Sequence, residues 1–341
     1  MLSFTLKESL TTNEKKRNLL EKVSSTVKIV RINHSERNKE HDNPPISIAL
    51  GSFDGVHLGH QKVIGEAKRV ADENGWSSAV MTFDPHPSIV LGGKTKKVDY
   101  LTSFEAKVEQ LANLGIDYLF IVDFTIEFAS LPPQEFVDLY LIDLNVKHVV
   151  AGFDYTYGKK AQGTAETLSK HSRGKYETTI IGKETFGGEK VSSTLIRSLI
   201  NNGEMEKVPA LLGRHYSVNG TVIHGDKRGR TIGFPTANVK STSDVILPPL
   251  GVYAVRFFVN EKWYEGVCNL GTKPTFQPDE KKISIEVHIF DFHQDIYGHS
   301  VIIEWHKRIR SEQKFNGIDE LVAQIEKDKQ TALQYFYEKA Q

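Results

Sequence analysis

Cysteine is almost missing from this chain. Cys268 is the single one in 341 residues, so neither an intramolecular disulfide nor a cysteine-built zinc site can form. Net charge is missing too: 43 Lys+Arg against 43 Asp+Glu leaves no chain-wide footprint for wrapping a nucleic-acid backbone. A local basic site for a phosphate ligand is still compatible with that balance. No stretch approaches the roughly 20 apolar residues of a membrane span. The N-terminus lacks the charged-then-apolar order of a secretory signal. Internal repeats and low-complexity tracts are also lacking. These absences predict a cytoplasmic protein with small-molecule partners, acting on neither nucleic acid nor membrane. An oligomer is compatible with all of them, and nothing in the sequence fixes its size.

What is present is ordinary for a globular protein, with 39% hydrophobic and 25% charged residues. The length is more than one core usually holds, so two domains are expected. The stretch that organises the first of them is Ile46-Ser-Ile-Ala-Leu-Gly-Ser-Phe-Asp-Gly-Val-His-Leu-Gly-His-Gln61. An apolar run to Leu50 breaks at Gly51 and Gly55, then passes Gly59 into helical spacing from Gln61 to Ala71. Strand, glycine-rich turn and helix in that order leave backbone N–H groups free at a helix N-terminus, which favours an anion. His57 and His60 stand where the turn enters the helix, and two imidazoles there suit a nucleotide triphosphate. The spacing alone fits a tight βα turn with two solvated histidines equally well.

In chain order, residues 1–26 read as a polar, lysine-rich extension, either mobile or a loosely docked helix. Residues 27–203 alternate strand-like and helix-like segments: strands at Val27–Ile32, Ile46–Leu50, Ser78–Phe83, Tyr118–Val122 and Lys147–Ala151, with helices from Phe104 and Pro133. Repeated βα units of this kind imply a parallel sheet with helices on both faces, and ligands at the carboxyl ends of its strands. His57, Asp84, His86 and Asp154 all follow predicted strand ends, so one mouth can hold them. Ser192-Ser-Thr-Leu-Ile-Arg197 opens a helix, and Arg197 falls near the same end as Ser193 and Thr194. A second phosphate clamp and a plain capped surface helix both fit that pattern.

After Gly203 the texture changes. Residues 204–213 read as a linker. From His215 onward, strand-like segments separated by turn residues predict an antiparallel barrel or sandwich in 214–341, closed by a helix over Ile318–Tyr337. This half carries Gly225-Asp-Lys-Arg-Gly-Arg-Thr-Ile-Gly-Phe-Pro-Thr-Ala-Asn238. Lys227 and its neighbouring arginines sit in a pliable loop suited to a polyphosphate, or to plain solvent exposure. Thr236 and Asn238 offer neutral oxygens suited to Mg²⁺ completed by water and phosphate. In Ile283-Ser-Ile-Glu-Val-His-Ile-Phe290 the odd positions are aliphatic, so Glu286 points to the other face with Ser284 and His288. A solvated sheet face accounts for that pattern as well.

Taken together, these motifs resemble the bacterial bifunctional riboflavin kinase/FMN adenylyltransferase family, from about Val27 to the C-terminus. Gly51-Ser-Phe-Asp-Gly-Val-His-Leu-Gly-His60, Thr82-Phe-Asp-Pro-His-Pro87 and Ser192-Ser-Thr-Leu-Ile-Arg197 are similar to signatures of its nucleotidyltransferase domain. Gly225-Asp-Lys-Arg-Gly-Arg230 with Gly233-Phe-Pro-Thr-Ala-Asn238 is similar to its flavokinase signature, the most specific match. Gly251-Val-Tyr253, Asn269–Thr275, Glu286-Val-His288 and Arg308–Phe315 follow in the family's order. The resemblance implies a Rossmann-like adenylyltransferase domain followed by a β-barrel kinase domain. The barrel would phosphorylate riboflavin to FMN with Mg²⁺-ATP, and the α/β domain would adenylylate FMN to FAD.

The resemblance also implies residue roles. Glu286 would be the general base, with Thr236 and Asn238 on Mg²⁺-ATP and Gly225 and Lys227 in the kinase nucleotide loop. His57 and His60 would stabilise charge on the triphosphate. Gly51, Phe53, Asp54, Gly59, Asp154, Ser193, Thr194 and Arg197 would complete the adenylyltransferase nucleotide site. Two other readings stand beside it: a flavin- or nucleotide-binding regulator with a silent site, and an RNA-modifying or tRNA-charging enzyme. Retained polar groups in each signature argue against the first. Neutral charge and the flavokinase-like half argue against the second.

Overall fold

Every side chain of Ile46–Leu50 is buried, as an unbroken aliphatic run demands of a strand covered on both faces. The structure is a computed structural model that describes residues 27–36, 42–92, 99–225, 228–242, 244–273 and 282–341. The extension 1–26 and Lys227 lie outside the described residues. Contacts divide the chain into two compact units, the first ending at Ser192 and the second running over Ser193–Gln341.

The first unit begins with β1 (Lys28–Ile32), β2 (Ile46–Leu50), α1 (Leu58–Asn74) and β3 (Ser77–Asp84). Then come α2 (Pro87–Leu91), α3 (Phe104–Asn113), β4 (Tyr118–Asp123), α4 (Ile126–Ala129), α5 (Pro133–Val137) and β5 (Val146–Gly152). A short hairpin of β6 (Thr156–Tyr157) and β7 (Gly163–Thr164), α6 (Thr167–Ser172) and β8 (Glu177–Ile181) follow. A second hairpin, β9 (Thr185–Phe186) and β10 (Glu189–Lys190), ends the unit. The helix expected from Pro133 relaxes into one π turn at Asp138–Ile142.

Six strands form one parallel sheet in the order β1-β4-β3-β2-β5-β8. Alternation splits its side chains between two cores. Ile46, Ile48 and Leu50 face Phe136, Tyr140 and Tyr157 on one side, while Ala49, Val80 and Ile121 face Ile64 and Ala67 of α1 on the other. The chain leaves β2 toward β3 but later returns on its other flank as β5. This reversal opens a crevice at the carboxyl end of β2, where such sheets bind ligands. The expected parallel α/β domain is therefore present.

The second unit opens with α7 (Ser193–Asn202), a 3₁₀ turn at Met205–Lys207 and α8 (Pro209–Leu212). Its barrel runs through β11 (Tyr216–Ile223), α9 (Arg228–Thr231), β12 (Ala237–Ser241), β13 (Gly251–Val259), β14 (Lys262–Lys273), β15 (Lys282–Ile289) and β16 (Ser300–Arg310). The helix α10 (Ile318–Ala340) closes the unit. The six strands form a closed antiparallel barrel in the order β11-β12-β15-β14-β13-β16, which removes both free edges. Strand β12 was not expected: at five residues, Ala-Asn-Val-Lys-Ser has too little alternation to stand out from its loop.

Tyr335 and Phe336 of α10 pack on Val252, Ala254 and Val267 of the barrel. Arg310 of β16 fastens the helix by a two-pronged contact with Asp328, the Nε approaching both carboxylate oxygens at 2.9 and 3.0 Å. Asp328 is 2% exposed, so removing either partner would strand a buried charge, at about 3–5 kcal/mol.

Candidate active sites

The turn between β2 and α1 is held from below. Gly51 donates its N–H to the Met81 carbonyl at 3.2 Å. Phe53 takes a left-handed φ of 51° and tucks its ring against Gly51, where a Cβ would come 2.9 Å from the ring tip. That contact explains the glycine at position 51. Asp54, 4% exposed, accepts the Leu101 N–H at 3.1 Å and so ties the turn to the segment before α3. Phe53 and the β-branched Val56 both have positive φ, a strained backbone of the kind found at binding sites, while Gly55 between them takes its positive φ without strain.

His57 caps α1: its Nδ1 accepts the His60 N–H at 3.2 Å. Neutral His57 therefore carries its proton on Nε2. The two rings stack 3.6 Å apart at 15°. Gly59 permits this, since a Cβ there would lie 3.2 Å from the His57 ring. Nδ1 of His60 is buried without a hydrogen-bond partner among the described residues. Burial first, then the charges of His57, Lys107 and Lys190, hold His60 well below the usual histidine range. His60 is thus neutral at pH 7, with a buried ring nitrogen that has no partner among the described residues.

The other predicted members of this mouth are on the same edge of the sheet. Asp84 ends β3 and pairs with Arg31 of β1 at 3.2 Å. His86 spends its Nδ1 on capping α2. Asp154, just after β5, forms an ion pair with Lys190 of the β9–β10 hairpin. A second pair, Lys62 with Glu184, ties the other side of that hairpin to α1. In the second unit, α7 begins at Ser193, so Ser192 stands at its N-cap position as expected. Thr194 is exposed there, and Ser193 and Arg197 are half-buried.

In the barrel, pairing decides the geometry. Asn238 of β12 lies directly opposite Glu286 of β15, and Asn269 of β14 faces Glu286 from the other side. Residues opposite one another project to the same face, so Asn238 and Glu286 share a site. Gly225 abuts the Asn238 side chain so closely that no Cβ fits between them. Ser284 donates its hydroxyl to Glu286 Oε1 at 2.8 Å. His288, on that same face, bonds the Pro235 carbonyl at 2.9 Å through Nδ1, which must carry the proton. Phe234 meets the His288 ring edge-on, so the segment before β12 is pinned over this face.

Thr236 borders an adjoining pocket, together with Val222, Arg230, Phe292, Asp295 and Tyr297. On β15 that pocket is walled by Val287 and Ile289, from the row opposite to Glu286. Thr236 thus borders this pocket, while Asn238, two residues on, pairs opposite Glu286.

Two family profiles match the chain in the same order as its units: FAD synthetase over residues 39–195, and Riboflavin kinase over residues 212–336. A bifunctional riboflavin kinase/FMN adenylyltransferase of Bacillus subtilis is 52% identical over 311 residues, covering 91% of this chain and 98% of its own. This chain belongs to that family. The enzyme of the same description from Escherichia coli is 37% identical, covering 85% of this chain and 92% of its own. A crystal structure described as a macrolide-efflux protein from Streptococcus pneumoniae matches with a TM-score of 0.81 at 34% identity, covering 90% of this chain and 99% of its own. That name describes the neighbour, and the likeness concerns the fold.

Within the FAD synthetase match, two cations escaped the sequence reading. Lys107 has a signal in hindsight: it occupies the i+3 place in the otherwise apolar stripe Phe104, Lys107, Val108, Leu111. Lys190 has none, because only the fold of its hairpin brings it to Asp154. Within the Riboflavin kinase match, alternation already puts Ser284 on the face of Glu286 and Asn269 opens a quoted motif, but neither the Ser284 hydrogen bond to Glu286 nor the pairing of Asn269 opposite it is legible without the fold.

Proposed function

We propose that the two sites divide two consecutive reactions of flavin nucleotide synthesis between the units. The barrel transfers the γ-phosphate of ATP to the 5′-hydroxyl of riboflavin, giving FMN and ADP. The α/β unit then joins FMN to the AMP part of ATP, giving FAD and pyrophosphate. The functional boundaries follow the sequence texture, with adenylyltransferase residues in 27–203, a connecting segment in 204–213 and kinase residues in 214–341.

The pairing of Glu286 with Asn238 carries the kinase assignment. It sets a proton acceptor beside a carboxamide oxygen on one face. Glu286 takes the proton from the ribityl hydroxyl, whose oxygen then forms the new bond to the γ-phosphorus while the bond to the β-phosphate oxygen breaks. Thr236 and Asn238 present neutral oxygens, a donor set that fits Mg²⁺ with phosphate and water completing it, while Arg230 beside Thr236 suits a phosphate oxygen. When bound there, Mg²⁺ supplies charge neutralisation for the phosphates. Gly225 keeps the nucleotide loop against Asn238, and Lys227 extends the positive charge of that loop.

In the α/β unit, the helix end at His57 and the unsatisfied nitrogen of His60 support a triphosphate site. An oxygen of the FMN phosphate attacks the α-phosphorus of ATP, and the bond to the β-phosphate oxygen breaks. His57 donates from Nε2 to the leaving pyrophosphate, and His60 holds a second oxygen. Gly51, Phe53, Asp54 and Gly59 shape the cradle. Asp154 contributes to charge balance of the phosphates, and Ser193, Thr194 and Arg197, which belong to the second unit, are taken as phosphate contacts on the strength of their motif alone. Positioning and charge stabilisation suffice for both steps, without a covalent nucleophile.

The full-length protein incubated with riboflavin and Mg²⁺-ATP should convert riboflavin to FMN and then to FAD, followed by chromatography of the flavins. FMN without FAD would remove the adenylyltransferase reading, and unchanged riboflavin would remove the kinase reading.

A further inference from the structure

Lys107 is 9% exposed, unusual for a lysine, and its ammonium makes its hydrogen bonds with two neutral oxygens. Nζ donates to the Ser52 carbonyl at 3.4 Å and to Thr82 Oγ1 at 3.2 Å. Thr82 in turn donates its hydroxyl to the same Ser52 carbonyl at 2.9 Å. Two donors from α3 and β3 thus converge on one peptide oxygen of the β2–α1 turn. Burying an ammonium whose hydrogen bonds go only to neutral oxygens is costly, the charges of Asp54 and Asp84 offset only part of that cost, and an apolar side chain there would be favoured if packing were the only demand.

We propose that Lys107 is a positioning residue for adenylyl transfer: it fixes the Ser52–Phe53 peptide so that the Phe53 N–H is turned, and polarised, toward a phosphate of bound ATP.

In a trans peptide the C=O and N–H point in opposite directions. Anchoring the Ser52 oxygen inward therefore aims the Phe53 N–H outward. Phe53 sits at φ 51°, so the turn needs an external hold to stay there. A cation on the carbonyl also draws charge through the amide and strengthens its N–H as a donor. Lys107 has a second consequence for His60. Its charge, with those of His57 and Lys190, disfavours protonation of that ring, while Asp54 and Asp84 act on Lys107 itself in the opposite sense. Burial is the main cause that pulls Lys107 below the usual lysine range.

This inference rests on the β2–α1 turn being the adenylyltransferase site. The test therefore uses three variants of the full-length protein: Lys107→Met, Thr82→Val and the double variant His57→Ala/His60→Ala. In Lys107→Met, kcat/KM for ATP in FMN adenylylation should fall roughly 10- to 100-fold, the worth of a charge-assisted hydrogen bond. The acid limb of its pH profile should move to higher pH, because His60 loses a nearby positive charge. Its unfolding midpoint should hold or rise, since a buried charge is replaced by an apolar chain of similar length. Thr82→Val should give a smaller loss with the acid limb in place. Riboflavin phosphorylation should continue in all three.

Wild-type adenylylation in Lys107→Met would overturn the proposal. So would a loss accompanied by a lowered unfolding midpoint and an unmoved acid limb, which marks a purely structural role. If the double histidine variant makes FAD at the wild-type rate, the assignment of the site itself fails, whatever Lys107 does.

Discussion

Replacing Glu286 by Gln is the sharpest test of the barrel site. The substitution keeps the side-chain length and the acceptor oxygen that receives the Ser284 hydroxyl at 2.8 Å. It removes only the ability to take up a proton. Glu286 is half-buried on a strand whose buried row is Ile285, Val287 and Ile289, so the core is untouched. Stability should change by no more than about 0.5 kcal/mol, as for surface substitutions generally. General-base catalysis is worth roughly 10²- to 10⁴-fold, equivalent to about 2.7–5.4 kcal/mol of barrier. Riboflavin phosphorylation should therefore fall by that factor in kcat. KM for ATP should stay near its original value, because Gly225, Thr236 and Asn238 remain. FMN adenylylation should be unaffected. The two half-reactions are assayed separately on the purified protein, starting one from riboflavin and the other from FMN, with chromatographic separation of the flavins. Near-normal phosphorylation would remove Glu286 from the mechanism. Equal loss of both activities would point to misfolding and refute the claim that the substitution is local.

Gly225→Ala places a methyl group on the Asn238 side chain; the displaced carboxamide should raise KM for Mg²⁺-ATP in riboflavin phosphorylation by roughly tenfold or more while FAD formation from FMN continues, and steady-state kinetics of the two reactions checks this. His215 stacks on His306 at 3.7 Å, and burial, then the charge of His306, pulls its pKa down to about 4. The unfolded chain binds this proton near the ordinary histidine value of 6.5, so His215 contributes stability that is complete above pH 6.5 and is lost as pH falls from there toward about 4. Denaturation across that window should show the decline, and His215→Gln should flatten it; an unchanged slope would assign the acid sensitivity to other groups. A fragment of residues 193–341 should fold and phosphorylate riboflavin without making FAD. A shorter fragment from Val208 loses Met205, which is 1% exposed, and should be less stable by about 1.5–3 kcal/mol in chemical denaturation.

The sequence by itself determined the elements whose signals are local. The aliphatic run of Ile46–Leu50, the glycines after it and the helical spacing beyond announce strand, turn and helix within a few residues of each other. The alternation around Glu286 places its carboxylate away from the aliphatic row, because side chains along a strand alternate by geometry alone. The order of βα units followed by closely spaced strands separates a parallel sheet from an antiparallel barrel. Motif chemistry likewise singled out the paired histidines, since a glycine-bearing helix start favours an anion wherever it occurs.

Only the tertiary structure decided which of these groups meet. Register across β12 and β15, not spacing along either, sets Asn238 opposite Glu286, although 47 residues lie between the two in the chain. The stacking of His57 on His60 depends on a turn whose strain is held by Asp54 with Leu101 and by Lys107 with Ser52. Lys190 reaches Asp154 only because a hairpin folds back over the sheet edge. Local propensity and periodicity depend on neighbours in sequence, whereas burial, electrostatic shifts and shared faces depend on neighbours in space. A lysine in an apolar stripe therefore reads as an exception in the sequence, and becomes a buried cation beneath the β2–α1 turn once α3 is laid against β2 and β3.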